Sequence, residues 1–222
     1  MEDIKNLIRL YSADVSVLSD PDLFRQAYCA VGDDRRAKVD RLRKFSDKCL
    51  SLGAGLLIRY ALRERGIEGL PEFSYGENGK PYIAGGPHFS LSHSGSYAVC
   101  ALSDVEVGCD VEKIGNANLK LARRFFLPEE YDVVASATSD EERNELFFRI
   151  WTLKESLMKC TGLGLELSPG TFRAFPGDPE TEHGGRKFYF TEFSSLPGYR
   201  CALCSAEPSL AEQITVDLRD VI

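Results

Sequence analysis

Two long segments with helical character, one in each half of the chain, constrain the fold more than any other feature of the sequence. Residues 47–65 carry apolar side chains along one helical face, with Asp47 as the expected N-cap, and residues 142–160 are apolar enough to be largely buried. Each segment ends at a glycine (Gly66, Gly162), a residue that suits the left-handed conformation closing a helix. Because an apolar helix face must be covered, each half needs a sheet or another helix to pack against it.

The elements around these two helices repeat in the same order. Each helix is followed by a proline and then by a strand predicted around a phenylalanine, Phe73 or Phe172, and the tripeptide Cys-Ala-Leu occurs at 100–102 and again at 201–203. This order predicts an α/β (α+β) fold of two similar halves in a pseudo-twofold arrangement, with expected domains 1–105 and 106–222. Strands are predicted at 4–18, 88–91, 97–102, 107–111 and in short pieces over 172–203, and further helices from Pro21, in the basic segment that follows it and at 117–126.

The formal charge of −7, from 27 Lys and Arg against 34 Asp and Glu, hides a local excess of positive charge. Residues 35–48 hold seven basic and two acidic side chains. A net negative chain is a poor general binder of nucleic acid or anionic membrane, so neither is an expected partner. Taken alone, a charge run on a helix is most often a solvated face, and an anion-binding role needs support from other motifs.

The seven cysteines are scattered, and no apolar run approaches the roughly 20 residues of a membrane helix. Residues 1–5 also lack the basic and apolar start of a signal peptide, so a cytoplasmic protein with reduced thiols is expected. Cys201 and Cys204 have the spacing of a redox or zinc motif, but residues three apart on a strand face opposite sides. Both are therefore predicted to be buried structural cysteines.

Two acidic residues lie two apart on a predicted apolar strand. Because side chains alternate along a strand, Asp110 and Glu112 share one face, while Cys109 and Val111 share the other. Close carboxylates repel one another unless a cation or a proton lies between them, and oxygen ligands of this kind suit Mg²⁺. A solvated strand end is the simpler alternative for so short a motif.

Two further clusters place polar side chains in apolar surroundings. Trp151, Glu155 and Lys159 fall at i, i+4 and i+8 on one helical stripe, where a plain Glu–Lys pair would contribute about 0.3–0.5 kcal/mol. Beside the tryptophan these charges are expected to be partly buried, and buried charges need partners. The strand end at residues 92–94 (Ser-His-Ser) has no visible acid to orient His93, so anion binding is favoured over a catalytic triad.

Taken in order, these motifs resemble those of the 4′-phosphopantetheinyl transferases, in particular the Sfp-like type. The family's Gly-x-Asp-x-Glu strand is matched by residues 108–112, and its W-x-x-K-E-S/A-x-x-K helix by residues 151–159. The departure is Cys109, where the family usually has isoleucine or valine, and it faces away from the carboxylates. Over roughly residues 35–205, further matches are the Ser-His-Ser strand end, Gly79-Lys80-Pro81, Arg124-Phe125-Phe126 before Glu130-Tyr131, and Gly162-Leu163-Gly164-Leu165.

The resemblance implies the phosphopantetheinyl transferase fold and a Mg²⁺-dependent enzyme, with Mn²⁺ as an alternative metal. Such enzymes transfer the 4′-phosphopantetheine group of coenzyme A to a serine of an apo acyl or peptidyl carrier protein and release adenosine 3′,5′-bisphosphate. The implied metal ligands are Asp110, Glu112 and Glu155. The implied catalytic residues are Lys159, which adds positive charge at the pyrophosphate, and Glu130 or Glu155 as general base. The residues implied in coenzyme A binding are Lys38, Arg41, Lys48, Lys80, Pro81, Ser92, His93, Asp110 and Lys159. Arg123, Arg124 and Phe125 resemble a segment that family members use near the carrier protein.

Two alternatives stay open at this point. One is a non-catalytic protein that binds coenzyme A or a carrier, and the other is a metal-dependent nuclease or phosphohydrolase that uses the same acids. The complete set of three acids with Lys159 favours the transferase, because binding alone needs no metal site. A monomer is the simplest expectation for two fused halves, and the sequence leaves open whether the carrier serves fatty-acid, polyketide or peptide synthesis.

Overall fold

The computed structural model describes residues 6–69 and 71–222 and shows a mixed α+β fold. The helices are α1 (Pro21–Ala30), α2 (Asp33–Arg41), α3 (Phe45–Glu64), α4 (Leu119–Phe125), α5 (Pro128–Ala135) and α6 (Asp140–Thr161). The strands are β1 (Asn6–Asp14), β2 (Ser74–Tyr75), β3 (Pro81–Tyr82), β4 (His88–Ser94), β5 (Tyr97–Ser103), β6 (Val107–Lys113), β7 (Glu180–His183), β8 (Arg186–Phe193), β9 (Tyr199–Ser205) and β10 (Ser209–Thr215).

Two four-stranded sheets carry the fold, and one long helix packs on each of them. The first sheet has the strand order β10-β1-β5-β4 and is covered by α3, and the second has the order β6-β9-β8-β7 and is covered by α6. The repeated Cys-Ala-Leu lies on an inner strand of each sheet, β5 and β9. The predicted α+β class and the predicted partner sheet for each long helix are confirmed.

The C-terminal segment returns to the first sheet. β10 pairs in parallel with β1, and the residues after it, Val216, Leu218 and Val221, are buried in the core beneath α3. Parallel neighbours need a long crossover, which residues 15–208 supply here. The predicted domain 106–222 therefore includes a strand, β10, that belongs to the first sheet. The division into two domains otherwise stays a prediction.

Helix and strand ends depart from the predictions in several places. α3 begins at Phe45 after Lys44, so the predicted N-cap at Asp47 is wrong, and Asp47 instead lies in the acidic first turn. The predicted strands around Phe73 and Phe172 are also wrong. Phe73 precedes the short hairpin of β2 and β3, and Phe172 follows a 3₁₀ turn and is buried against α6. Helix α5 and strand β10 are absent from the predictions.

Other details of the sequence interpretation hold. Gly162 closes α6 with a φ of 71°, and α6 is capped at its start by Ser139. Cys201 and Cys204 face opposite cores, and all seven cysteines, which lie within the described ranges, are free. No helix among residues 6–69 and 71–222 is long and apolar enough to span a membrane. Residues 1–5, including the start of the strand predicted at 4–18, lie outside the described residues.

Gly108 sets the distance between α6 and β6. A Cβ atom at this position would lie 2.0 Å from the carbonyl oxygen of Ser156 and 2.2 Å from the amide nitrogen of Cys160. A residue without a side chain therefore lets the helix backbone lie directly on the strand. This contact brings the last turns of α6 next to the acidic residues of β6.

We expect Gly108→Ala to lower the free energy of unfolding by about 3 kcal/mol, because the added methyl group meets backbone atoms that cannot rotate away. Gly115→Ala is the matched control, since a Cβ there would approach no atom closer than 3.8 Å. Urea unfolding followed by circular dichroism measures both variants. A Gly108→Ala protein as stable as the Gly115→Ala protein would contradict this account of the helix–strand contact.

Candidate active site

A cavity of about 780 Å³ lies between the two halves of the chain. Its walls come from α2, α3, the β2–β3 hairpin and β4 on one side and from β6 and α6 on the other. The volume falls in the usual range for a small-molecule site. The predicted site residues that line it are Lys38, Lys80, Pro81, Ser92, His93, Asp110, Glu112, Glu155 and Lys159.

Asp110 is the best-buried acid of the cavity, with 2% of the residue exposed. Its Oδ1 accepts hydrogen bonds from Lys159 Nζ at 2.6 Å and from Ser92 Oγ at 2.7 Å, and Lys159 Nζ also donates to Ser92 Oγ at 2.9 Å. Its Oδ2 is buried and makes no hydrogen bond with any described residue. A buried carboxylate oxygen without a partner is costly, so this atom marks a place where a cation would be stabilised.

Glu112 and Glu155 add two carboxylates to the same cavity. Oε2 of Glu112 accepts a hydrogen bond of 2.7 Å from Ser94 Oγ. Burial and the nearby Asp110 charge raise the pKa of Glu112, and the same two causes raise the pKa of Glu155. Burial disfavours the charged form of Lys159, but the charge and the hydrogen bond of Asp110, together with smaller contributions from Cys109 and Glu155, raise the pKa of Lys159 overall. Three carboxylates thus face one ammonium group, which leaves an excess of negative charge.

The donor chemistry of these three acids fits a hard divalent cation. Within the described ranges, no three His, Cys, Asp or Glu side chains are close enough to form a ready-made metal site. However, Asp110 presents an unpartnered buried oxygen, and Glu112 and Glu155 bring oxygen ligands of the type that Mg²⁺ takes. A bound cation would offset the two effects that raise their pKa values, burial and the Asp110 charge.

The positive side of the cavity differs in part from the prediction. Lys38 on α2 lines the cavity, but Arg41, which is exposed on the last turn of α2, and Lys48 on α3 do not. The residue that the sequence interpretation missed is Arg35, one helical turn before Lys38. Arg35 belongs to the recognised basic segment, but its orientation depends on where α2 begins.

Arg35 packs against α3 at a glycine. A Cβ on Gly55 would lie 3.1 Å from Arg35 Cγ and 3.3 Å from its Nε, so a larger residue there would displace the side chain. Burial lowers the pKa of Arg35, although the guanidinium stays charged at neutral pH. In the part of the chain that the structure describes, no acidic side chain pairs with Arg35. It is therefore available to an anionic ligand.

The serines and the histidine of the Ser-His-Ser strand end contact different parts of the cavity. The hydroxyl groups of Ser92 and Ser94 donate to carboxylates, which agrees with the absence of a Ser–His triad. His93 is exposed at the cavity wall, where desolvation and the cations Lys38 and Lys159 lower its pKa. An anion bound there would compensate this concentration of positive charge.

Lys80 lies in the cavity wall but directs its ammonium group into the protein. Its Nζ donates to the carbonyl oxygens of Val107 and Cys160, each at 3.0 Å. Cys160 belongs to the last turn of α6, where free carbonyl groups attract a cation. Lys80 thus ties the β2–β3 hairpin to the second half and shapes the cavity rim beside Pro81.

Glu130, one of the two predicted general bases, lies outside this cavity. It is fully buried, pairs with Lys154 Nζ at 2.8 Å and accepts the backbone N–H groups of Leu127 and Ala174, each at 2.8 Å. Lys154 is also fully buried and donates to two further carbonyl groups. The position of Glu130 contradicts its assignment as a base, because both carboxylate oxygens are already engaged in the interior.

Comparisons with known proteins identify the family of this chain. A family model described as the 4′-phosphopantetheinyl transferase superfamily matches residues 106–204. A 4′-phosphopantetheinyl transferase of Bacillus subtilis is 32% identical over 198 residues, which cover 83% of this chain and 86% of the relative. One of Bacillus pumilus is 32% identical over 200 residues, covering 84% and 83%.

Two further matches cover a smaller share of the other chain. A putative 4′-phosphopantetheinyl transferase of Synechocystis is 32% identical over 193 residues, covering 82% of this chain and 74% of the relative. A solved holo-[acyl-carrier-protein] synthase of Thermotoga maritima covers 46% of this chain and 63% of its own, with a TM-score of 0.34 and 21% identity, too remote to add weight. With about a third of the residues identical over most of both chains, this chain belongs to the 4′-phosphopantetheinyl transferase family.

Proposed function

We propose that this protein transfers the 4′-phosphopantetheine group of coenzyme A to a serine of an apo carrier protein. The observation that carries the proposal is a single cavity with Asp110, Glu112, Glu155 and Lys159 on one wall and basic side chains on the other. Membership of the family supports the same reaction. Seven free cysteines suit a reducing cytoplasm, and a cavity shared by two fused halves supports a monomer.

Coenzyme A carries two separate groups of negative charge, and the cavity offers a place for each. Arg35, Lys38 and His93 form the basic wall that would hold the 3′-phosphate. Lys159 is the cation at the acidic end, where the pyrophosphate would lie, and its bond to Asp110 keeps its ammonium group charged. Lys80 and Pro81 form the rim against which the nucleotide would pack.

Asp110, Glu112 and Glu155 would hold Mg²⁺ beside the pyrophosphate. When bound, this ion would neutralise charge that develops on the leaving adenosine 3′,5′-bisphosphate. The three acids otherwise repel an anionic substrate, so binding of coenzyme A and of the metal should depend on each other.

Glu155 is the general base that the geometry favours over Glu130. It lines the cavity where the carrier serine would meet the phosphate, whereas both carboxylate oxygens of Glu130 are engaged in the interior. Glu155 would take the proton of the carrier serine as the serine oxygen bonds to the phosphorus of the pantetheine phosphate. The bond from that phosphorus to adenosine 3′,5′-bisphosphate then breaks, and Lys159 stabilises the charge on the departing phosphate.

Incubation of the protein with coenzyme A, MgCl₂ and an apo carrier protein should add the mass of one phosphopantetheine, as measured by intact mass spectrometry. Asp110→Asn should slow this conversion at least about 100-fold, because it removes a carboxylate that would hold Mg²⁺ beside the pyrophosphate. Fatty-acid, polyketide and peptide carriers are tested in parallel. If none of them gains mass, the transferase proposal fails, and conversion that persists in EDTA would overturn the metal assignment.

Glutamine substitutions separate the two candidate bases. Glu155→Gln should lower kcat about 100-fold or more without a large change in stability, because the variant loses the proton acceptor, which is also a proposed metal ligand. Glu130→Gln should instead lower the free energy of unfolding by about 3–5 kcal/mol, because it leaves Lys154 charged and unpaired in the interior. Turnover is measured at a temperature where both variants are folded. A large kcat loss in folded Glu130→Gln protein, with normal turnover in Glu155→Gln, would reverse the assignment.

Alanine substitutions on the basic segment test the position of the 3′-phosphate. Arg35→Ala should raise the KM for coenzyme A about tenfold, since a charged hydrogen bond contributes about 1.5–3 kcal/mol. Arg41→Ala is the matched control on the same helix and should change KM less than twofold. The effect of Arg35 should shrink as NaCl concentration rises. If both variants changed KM equally, the basic residues of α2 would be a solvated face that acts only through its overall charge, and the phosphate assignment to Arg35 would be wrong.

A further inference from the structure

The two sheets meet where edge strand β4 lies beside edge strand β6. These strands belong to different sheets, and side chains of β4 bridge the gap. Ser90, Ser92 and Ser94 occur at every second position, so all three hydroxyl groups face β6. We call these three residues the serine row.

Each hydroxyl group of the serine row has a defined partner on β6. Ser90 Oγ accepts the Cys109 N–H at 3.0 Å, and Ser92 Oγ donates to Asp110 Oδ1 at 2.7 Å. Ser94 Oγ donates to Glu112 Oε2 at 2.7 Å and accepts the Lys113 N–H at 3.1 Å. The row therefore connects the first half of the chain to both acids of β6.

The serine row leaves one oxygen free on each of these two acids. Asp110 has Oδ1 engaged and Oδ2 without a hydrogen bond to any described residue. Glu112 has Oε2 engaged by Ser94, and no described residue donates a hydrogen bond to its Oε1. Two carboxylates, each held by one oxygen and open at the other, form a pre-oriented pair of ligands.

We propose that Ser94 is a positioning residue that holds Glu112 in the orientation needed to bind the metal ion. This inference rests on the proposed function, because it assigns Glu112 to the metal. The Lys113 N–H occupies a lone pair of the Ser94 hydroxyl group and thereby fixes the direction in which its hydrogen points, towards Glu112. Asp110 has Lys159 as a second anchor, whereas Ser94 is the hydrogen-bond donor to Glu112 among the described residues, so Glu112 depends on it more strongly.

Removal of the hydroxyl group should release the Glu112 side chain. A free glutamate side chain populates many rotamers, and binding would then have to restrict them. Loss of a hydrogen-bond partner that orients a metal ligand typically weakens metal binding 10–100-fold. Ser94→Ala should therefore raise the Kd for the metal about tenfold while coenzyme A affinity without metal stays unchanged.

The test is a titration of Mn²⁺ into protein saturated with coenzyme A, followed by electron paramagnetic resonance of the free ion. Ser94→Ala is compared with Ser94→Thr, which keeps the hydroxyl group and suits a strand. Ser90→Ala is the matched control, because Ser90 belongs to the same row but makes no hydrogen bond to a carboxylate of any described residue. Thermal unfolding by circular dichroism shows that each variant is folded.

The expected result is a Kd for Mn²⁺ about tenfold higher in Ser94→Ala, near the wild-type value in Ser94→Thr and unchanged in Ser90→Ala. If the wild-type protein and Ser94→Ala bind Mn²⁺ with the same Kd, the role of Ser94 is overturned and the proposed function stays intact. An equal loss in Ser90→Ala would overturn it as well, since the effect would then come from the joint between the sheets. If the wild-type protein binds no Mn²⁺ with coenzyme A present, the metal assignment and this inference both fail.

Discussion

The structure of the site depends on one buried carboxylate, that of Asp110. Burying a carboxylate whose residue is only 2% exposed costs free energy unless hydrogen bonds and a cation replace its water. Lys159 from α6 and Ser92 from β4 supply them, so one side chain joins a strand and a helix of the second half to a strand of the first. The hydrogen bonds around Asp110 are therefore complete only when the two halves are packed together.

Helix α6 is held in place from two directions, and this sets the orientation of Glu155. On one side Gly108 lets its backbone lie directly on β6. On the other, Lys154 reaches into the interior to Glu130 and to the carbonyl groups of Pro169 and Phe172. Since consecutive helical residues are about 100° apart, anchoring Lys154 in the core directs Glu155 towards the cavity. Adjacent positions of the 151–159 motif thus have different roles: Lys154 anchors the helix, and Glu155 faces the cavity.

The shared faces of several candidate site residues could be predicted from the sequence because they depend on local periodicity. Alternation along β6 places Asp110 and Glu112 on one face, and helical spacing places Glu155 and Lys159 on one stripe. The errors concern residues whose surroundings come from distant segments. Glu130 has the chemistry of a general base, but burial against Lys154 gives it a structural position.

The sequence by itself determined the α+β class, the two long helices with their sheets, the faces of β6 and β9, and the family. These follow from short-range rules of backbone geometry and from an ordered set of motifs. Tertiary structure decided that β10 closes the first sheet, that Arg35 rather than Arg41 faces the cavity, and that serines of β4 hold the acids of β6. The physical reason is that these contacts join residues far apart in the chain, and packing of the whole core sets their distances.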